Sequence, residues 1–333
     1  MRIYLDQNKW IHLLQEREGE TPDHYPDFSD ALEFVEEYAQ DDSFVFPIDS
    51  VRLQEAAARG DSDGRSTLYD YLWEISGGWG YAPVASVMIA ECREAVRRRT
   101  GMGDQLDEEV FGRGIAHIEG FPLHRIRHES GEWLLDQIDD EDIDSAYEIT
   151  QSYELYNEII SGDGLEGLRK LHDTGGLAET LEGWDEEIRE EYADTDRQRR
   201  ASMVKHYVQI ILPEFLEWWT QVGFHPLAIP VSPEDWDEYM RRGRDAETAE
   251  SFLREFGFHY CFNELRFRRA LEGTEFSAND VRDLHALSIA IPYSDVVVCE
   301  KHFGNLALQS NLDEAFGTTI LTDLSDLPDE VGG

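Results

Sequence analysis

Four short, largely apolar runs near the two ends of the chain predict buried strands. They are bounded by polar or proline-containing turns, which is typical of strands in a parallel sheet covered on both faces. Segments with apolar residues at helical spacing separate the runs. The runs occupy residues 3–5, 44–48, 295–299 and 318–321. We therefore expect an α/β domain formed by residues 1–82 and 274–333.

The middle of the chain, residues 83–273, has a different pattern. Apolar residues recur there at helical spacing in segment after segment, and little of the stretch predicts a strand. No repeat period is present. The expected organisation is therefore a discontinuous α/β domain that is interrupted by a large, all-helical insertion.

The chain is extremely acidic, with 71 Asp and Glu residues against 29 Lys and Arg and a net charge of −42. Such a charge destabilises a compact chain by self-repulsion unless salt screens it. Lysine is rare among the basic residues, a composition that resembles proteins of salt-loving archaea. In molar salt, counter-ion release contributes little to nucleic-acid binding by any protein, so the charge does not exclude a nucleic-acid substrate.

The cysteines and the hydropathy profile indicate the expected compartment. Cys92, Cys261 and Cys299 are isolated in sequence and predict neither disulfides nor a zinc site. No run approaches the ~18 apolar residues of a transmembrane helix, and the first residues do not resemble a signal peptide. We expect a cytoplasmic protein that does not bind membranes.

Two acids directly follow predicted strands. Asp6 ends the first run and Glu300 ends the third, so both are expected at the carboxyl ends of parallel strands, where open α/β sheets bind ligands. The alternative for Asp6 is an N-cap of the next helix. Glu55 lies one turn into the helix after the second run and could reach the same edge, although an ordinary exposed glutamate is the alternative.

The helix predicted at 278–291 carries two further acids on its apolar face. Asp280 and Asp283 share that face with Leu284 and Leu287, and charge on a buried face is unfavourable unless it is paired or bound to a cation. Asp280 can also be the capping partner of Ser277. Several carboxylates in one crevice predict a hard cation, Mg²⁺ or Mn²⁺, and hence metal-dependent phosphodiester hydrolysis.

Three segments together resemble the PIN (PilT N-terminus) nuclease superfamily. They are IYLDQNKWIHL, RSTLYDYLWEIS with the glycines that follow it, and DLHALSIAIPYSDVVVCEKHF. The resemblance implies a Rossmann-like, three-layer parallel sheet and Mg²⁺- or Mn²⁺-dependent endonuclease activity, usually on RNA. It also implies that Asp6, Glu55, Asp283 and Glu300 are the metal-binding acids, with Asn8 as an accessory residue.

The last acid of this set departs from the family pattern, which commonly has Asp where this chain has Glu300. Asp280 and Asp295 therefore stay open as residues that complete the metal site. Lys9 and Lys301 flank the acids and are candidates for phosphate contacts, with helix-end positions as the alternative. Arg65 is a candidate for orienting Glu55 through a salt bridge.

Other functions are compatible with the same residues. A phosphatase of the haloacid-dehalogenase type also has an Asp after its first strand, but it requires a second Asp where this chain has Asn8. A non-catalytic PIN-like module is a further alternative. The expected partner is a nucleic acid, preferably RNA, and a second copy of the chain or an antitoxin-like protein are additional candidates. Toxin action, defence and RNA processing all fit this expectation.

Overall fold

The fold is known from a computed structural model, which describes residues 1–20, 26–59, 61–101, 104–120, 148, 150–161, 175–191, 194–211, 213 and 250–332. It is mixed α/β and mostly helical. The strands are β1 (Ile3–Leu5), β2 (Trp79–Tyr81), β3 (Phe111–Arg113), β4 (Val296–Val298) and β5 (Thr319–Leu321).

Some helices begin at a side-chain cap, as at Asp6, Asp49 and Asp61, and some end at a left-handed glycine, as at Gly19 and Gly77. In chain order they are α1 (Gln7–Glu18), α2 (Ser29–Tyr38), α3 (Ser50–Ala57), α4 (Ser62–Ser76), α5 (Val84–Thr100), α6 (Leu106–Val110), α7 (Ile115–Ile118), α8 (Tyr153–Ser161), α9 (Gly175–Glu191), α10 (Thr195–His206), α11 (Gly257–Ala270), α12 (Ala278–Tyr293), α13 (Lys301–Gln309), α14 (Leu312–Phe316) and α15 (Leu327–Gly332). A π-helical turn, Tyr207–Ile211, follows α10, and a 3-10 turn, Leu324–Asp326, precedes α15.

Strands β1, β4 and β5 form a small parallel sheet with β4 in the centre. The register aligns Leu5 with Val298 and Val298 with Leu321, so that the three strands end level with one another. The side chains of β1 and β4 are buried, which explains why the strand residues Ile3–Leu5 and Val296–Val298 carry no charge. A parallel sheet is therefore present where the sequence predicts it.

The run at 44–48 was expected to be a continuous strand, and this prediction is wrong. The segment pairs with its neighbours only through two isolated parallel bridges, Arg2 with Val45 and Ile48 with Gly80. Pro47 lies between the two bridges and has no N–H to donate to a ladder. The segment nevertheless lies beside β1, because the amide of Ile3 donates to the carbonyl of Val45 at 2.9 Å.

The stretch expected to be wholly helical contains a strand. Strand β3 pairs antiparallel with β2 and places Phe111 opposite Tyr81. A strand of three residues is too short to produce a detectable period-2 pattern. Much of the predicted insertion, including residues 121–147, 162–174 and 214–249, lies outside the described residues.

The chain divides into two compact units. The first unit is Met1–Pro83, Phe111–Asp173 and Tyr293–Gly333, and the second is Val84–Val110 and Thr174–Pro292. The division after residue 83 lies where the sequence pattern changes. The other boundaries differ from the expected ones, since 111–173 group with the first unit and 274–292 with the second.

The core of the first unit surrounds the parallel sheet. Ile3, Leu5, Trp10 and Val298 are fully buried there, together with Phe46 from the bridged segment. Cys92, Cys261 and Cys299 are buried, as expected, and the structure joins none of these three in a disulfide. No helix within the described ranges is long and apolar enough to cross a membrane.

Candidate active site at the carboxyl edge of the sheet

The carboxyl ends of the three parallel strands each lead to an acid. We call this region the carboxyl edge and define it by Asp6 after β1, Glu300 after β4 and Asp323 after β5. The amide of Asp6 donates to the carbonyl of Val298 at 2.9 Å, and that of Cys299 to the carbonyl of Leu321 at 2.9 Å. Because neighbouring strands are about 4.8 Å apart, the chain segments that carry these acids lie side by side.

Asp6 is the N-cap of α1 and is almost completely buried. Its Oδ1 accepts a hydrogen bond from the amide of Gln7 at 2.8 Å and forms an ion pair with Arg52 Nη1 at 2.6 Å. Among the described residues, none donates a hydrogen bond to Asp6 Oδ2. The capping and the functional interpretations are therefore compatible, because capping uses only one of the two carboxylate oxygens.

Arg52 lies among the carboxylates of Asp6, Asp49 and Glu55, and its side chain is 1% exposed. Its Nη1 is 2.6 Å from Asp6 Oδ1 and also 2.6 Å from Glu55 Oε2. Burial alone would lower the pKa of Arg52, but Glu55, Tyr4, Asp6 and Asp49 outweigh it and raise this pKa well above its ordinary value. The guanidinium is thus a permanent cation between two of the predicted metal-binding acids.

A buried hydrogen-bonded chain holds the Arg52 side chain in place. Arg52 Nε donates to the Tyr4 hydroxyl at 2.9 Å, and this hydroxyl donates to Asp49 Oδ2 at 2.6 Å. Asp49 is the N-cap of α3, and its Oδ1 accepts from the amide of Arg52 at 2.9 Å. Burial, the largest cause, raises the pKa of Tyr4 well above its ordinary value, so this hydroxyl keeps its proton.

Glu300 occupies the N-cap position of α13 but does not cap it. No side-chain hydrogen bond caps α13, and Glu300 Oε1 instead accepts a hydrogen bond from Asn8 Nδ2. The carboxylate of Glu300 therefore points towards the first turn of α1, two residues after Asp6. Within the described part of the chain, Glu300 Oε2 accepts no hydrogen bond.

Two lysines lie near the third acid of the carboxyl edge. Lys9 is buried, and its Nζ donates to the carbonyl of Thr322 at 3.1 Å. A hydrogen bond from the amide of Ser325, followed by smaller effects of Lys9 and Lys301, lowers the pKa of Asp323. Lys301 is exposed at the start of α13. Both lysines thus lie near Asp323, and their contact with a phosphate stays a prediction.

Asp323 was not among the predicted site residues. Its Oδ1 caps the 3-10 turn by accepting from the amide of Ser325 at 3.1 Å. The signal that could have identified it was present in the sequence, because Asp323 follows the fourth apolar run just as Asp6 and Glu300 follow the first and third.

Asp295 lies at the opposite edge of the sheet from Asp6 and Glu300. It precedes β4, and its Oδ2 accepts a hydrogen bond from the amide of Arg2 at 2.6 Å. Strand residues rise about 3.3 Å each, so the length of β4 separates Asp295 from the carboxyl edge by about 10 Å. The expectation that Asp295 completes the metal site is therefore wrong.

Asp280 has a structural role in the second unit. Its two carboxylate oxygens pair with Arg269 Nε and Nη2 at 2.9 and 3.1 Å, and Oδ2 also accepts from the amide and hydroxyl of Ser277 at 2.7 Å. The Ser277 hydroxyl in turn accepts from the amide of Asp280 at 3.1 Å. Asp280 and Ser277 thus form the capping pair that was one of the two interpretations of the sequence, and Arg269 adds an ion pair to it.

Two further predicted site residues are Asp283 and Arg65. Asp283 lies on α12 within the second unit and is partly buried, so its participation in the carboxyl edge stays a prediction. Arg65 donates through Nη1 to the carbonyl of Arg59 at 2.9 Å. The cation that orients Glu55 is Arg52, which lies one helical turn away, and the expected Arg65–Glu55 pair is wrong.

The donors of the carboxyl edge fit a hard divalent cation in chemical type. Asp6 Oδ2 and Glu300 Oε2 are carboxylate oxygens, and Mg²⁺ commonly uses one or two carboxylates while it keeps several waters. No group of three His, Cys, Asp or Glu side chains that could hold a metal by itself is present among the residues that the structure describes. Two carboxylate oxygens match the kind of ligand that a partly hydrated Mg²⁺ uses, so the metal expected from the sequence stays a prediction.

Comparisons with protein-family models, with curated proteins and with solved structures found no match to this chain.

Proposed function

We propose that this chain is a nuclease of the PIN type that uses Mg²⁺ or Mn²⁺ to hydrolyse phosphodiester bonds, with RNA as the preferred substrate. The observation that carries the proposal is the carboxyl edge, where three neighbouring parallel strands each lead to a carboxylate. Two of these carboxylates have an oxygen that accepts no hydrogen bond from the described residues. Phosphodiester chemistry requires such acids together with nearby cations for the phosphate.

Asp6 and Glu300 would hold the ion, and Asn8 would orient Glu300 through its amide. The ion would supply a more acidic bound water and neutralise charge on the phosphate oxygens. Lys9 and Lys301 lie beside these acids and would contact phosphate oxygens. Lys301 is the residue with more freedom to do so, because it is exposed whereas Lys9 is buried.

The start of α13 adds a further feature that suits a phosphate. The helix is nine residues long, and its N-terminus lies at the carboxyl edge without a side-chain cap. Free N–H groups and the positive end of a helix dipole favour anions. Because Glu300 bonds to Asn8 and does not cap its own helix, its side chain would not compete with a phosphate oxygen at this N-terminus.

The test is cleavage of end-labelled RNA and single-stranded DNA in molar KCl, with Mn²⁺ or with EDTA. The wild-type chain should cleave RNA only when the metal is present, and Asp6→Asn should abolish cleavage while the far-ultraviolet circular dichroism spectrum is retained. Asp295→Asn is the matched control, since it alters an acid at the opposite edge of the sheet, and it should cleave normally. Cleavage by Asp6→Asn at the wild-type rate would contradict the proposal.

A second candidate is a non-catalytic PIN-like module, and the Arg52 cluster is the observation that favours it. Arg52 already neutralises part of the charge that a metal would otherwise balance. Such a module would bind RNA equally well with Mn²⁺ and with EDTA and would not cleave it in either condition. The same assay, combined with an RNA mobility-shift measurement, separates the two candidates.

A further inference from the structure

We infer that Arg52 is the resident cation of this site and limits it to a single divalent ion. In this arrangement Glu55 positions Arg52 and does not ligate the metal, while Asp6 gives one oxygen to Arg52 and the other to the ion. The inference rests on the proposed function insofar as a divalent ion binds at the carboxyl edge.

The distances place the guanidinium where a bridging ion would otherwise lie. A single nitrogen, Arg52 Nη1, is 2.6 Å from both Asp6 Oδ1 and Glu55 Oε2. Charged hydrogen bonds of this length are among the strongest in proteins. Oxygens that are bound this closely by Arg52 have no room for a second cation between them.

The Arg52 side chain is fixed in this position and does not act as a movable gate. It is 1% exposed, and Tyr4 holds its Nε while Asp49 holds its backbone amide. Withdrawing the buried guanidinium would break its ion pairs with Asp6, Asp49 and Glu55, which is strongly unfavourable. Arg52 therefore stays in place when a metal binds.

Arg52 Nη2 is buried and has no hydrogen-bond partner among the residues that the structure describes. A site that was optimised only for folding would satisfy this donor. The other two nitrogens have partners: Nη1 pairs with Asp6, and Nε donates to the Tyr4 hydroxyl, which is bonded to Asp49.

The test is titration of the full chain with Mn²⁺ alone in molar KCl. Binding is measured by isothermal titration calorimetry and by the electron paramagnetic resonance signal of the Mn²⁺ that stays free. The wild-type chain should bind one Mn²⁺. Glu300→Gln should weaken binding by about 10-fold or more, as loss of a ligand or its close partner does. Glu55→Gln should change the dissociation constant by less than about 3-fold, a free-energy change below 1 kcal/mol.

Substitutions of Arg52 separate a positioning role from a merely structural one. Arg52→Lys retains the charge and should still bind one Mn²⁺. Arg52→Met removes the guanidinium that lies between Asp6 and Glu55 and should bind two Mn²⁺ ions, because a second ion can then take its place. If Arg52→Met does not fold, the contrast between Glu55→Gln and Glu300→Gln still decides the question.

The outcomes distinguish this inference from the proposed function. Two Mn²⁺ ions bound to the wild-type chain, or equal weakening by Glu55→Gln and Glu300→Gln, would overturn the role of Arg52 and leave a metal-dependent nuclease intact. A wild-type chain that binds no Mn²⁺ would overturn both.

Discussion

Lowering the pH from 8 to 5 should destabilise the second unit through two buried histidines. His206 on α10 and His259 on α11 are hydrogen-bonded, with Nε2 of the first 2.9 Å from Nδ1 of the second. Burial lowers the pKa of His259 to about 3. Burial, with smaller contributions from His259 and Arg266, also lowers the pKa of His206 well below its ordinary value.

The sign follows from the difference in bound protons. In the unfolded chain both histidines titrate near pH 6.5, whereas the native chain keeps them neutral to a much lower pH. Below pH 6.5 the unfolded chain therefore binds protons that the native chain does not. Stability is fully present above pH 6.5 and is lost as the pH falls towards the native pKa values, at about 1.4 kcal/mol per pH unit for each histidine.

The magnitude is large relative to ordinary protein stability. At pH 5 the loss is about 2 kcal/mol for each histidine and about 4 kcal/mol for the pair. A typical domain has a total free energy of unfolding of about 5–15 kcal/mol. Mild acid should therefore remove a substantial fraction of the stability of the second unit.

The assay is urea unfolding at pH 8, 7, 6 and 5 in constant molar KCl, with circular dichroism as the signal that reports unfolding. His259→Gln removes one titrating group but keeps hydrogen-bonding capacity, so its loss of stability between pH 7 and pH 5 should be smaller than the wild-type loss by about 2 kcal/mol. His302→Gln, at an exposed position, is the control and should follow the wild-type profile. Identical pH profiles for the wild-type chain and His259→Gln would refute the reasoning.

Three further substitutions test the assignments made above. Asp280→Asn removes the charge that pairs with Arg269 and should lower the free energy of unfolding by about 2–4 kcal/mol without changing Mn²⁺ affinity; weaker Mn²⁺ binding would restore Asp280 to the metal site. Burial, aided by the nearby carboxylate of Asp49, raises the pKa of Glu119 to about 8. The free energy of unfolding of Glu119→Gln, measured in urea, should therefore exceed that of the wild-type chain by a difference that grows by about 1.4 kcal/mol per pH unit from pH 4.5 to 8 and then levels off. A difference that does not depend on pH would contradict this. Tyr4→Phe removes the hydroxyl that Arg52 Nε uses and should lower the thermal midpoint by the equivalent of about 1–3 kcal/mol, whereas an unchanged midpoint would show that the hydroxyl is not needed to hold the guanidinium.

The parallel sheet and the acids that follow its strands could be predicted because their signals are local. A buried parallel strand requires a continuous apolar run, and β1 and β4 both have one. The polar residue that ends each run is then visible as an interruption, as at Asp6 and Glu300. The capping pair of Ser277 and Asp280 was equally local, since both residues lie within one helical turn.

Arg52 could not be identified because its role depends on residues that are distant in sequence. Within VRLQEAAAR it resembles an ordinary helical arginine, and only the fold brings Tyr4 and Asp6 to its side chain. Strand β3 has the same difficulty, since Phe111 pairs with Tyr81 from outside the segment that contains it. The sequence predicted a divalent metal ion for these acids, which stays a prediction, and it did not identify the guanidinium that lies between Asp6 and Glu55.

The most direct measurement of the central claim is anomalous diffraction from crystals of the full chain soaked in Mn²⁺. The account predicts one anomalous peak at the carboxyl edge, within coordination distance of Asp6 Oδ2 and Glu300 Oε2, with the Arg52 guanidinium still between Asp6 and Glu55. No peak at this edge, or a peak between Asp6 and Glu55 with Arg52 displaced, would contradict it.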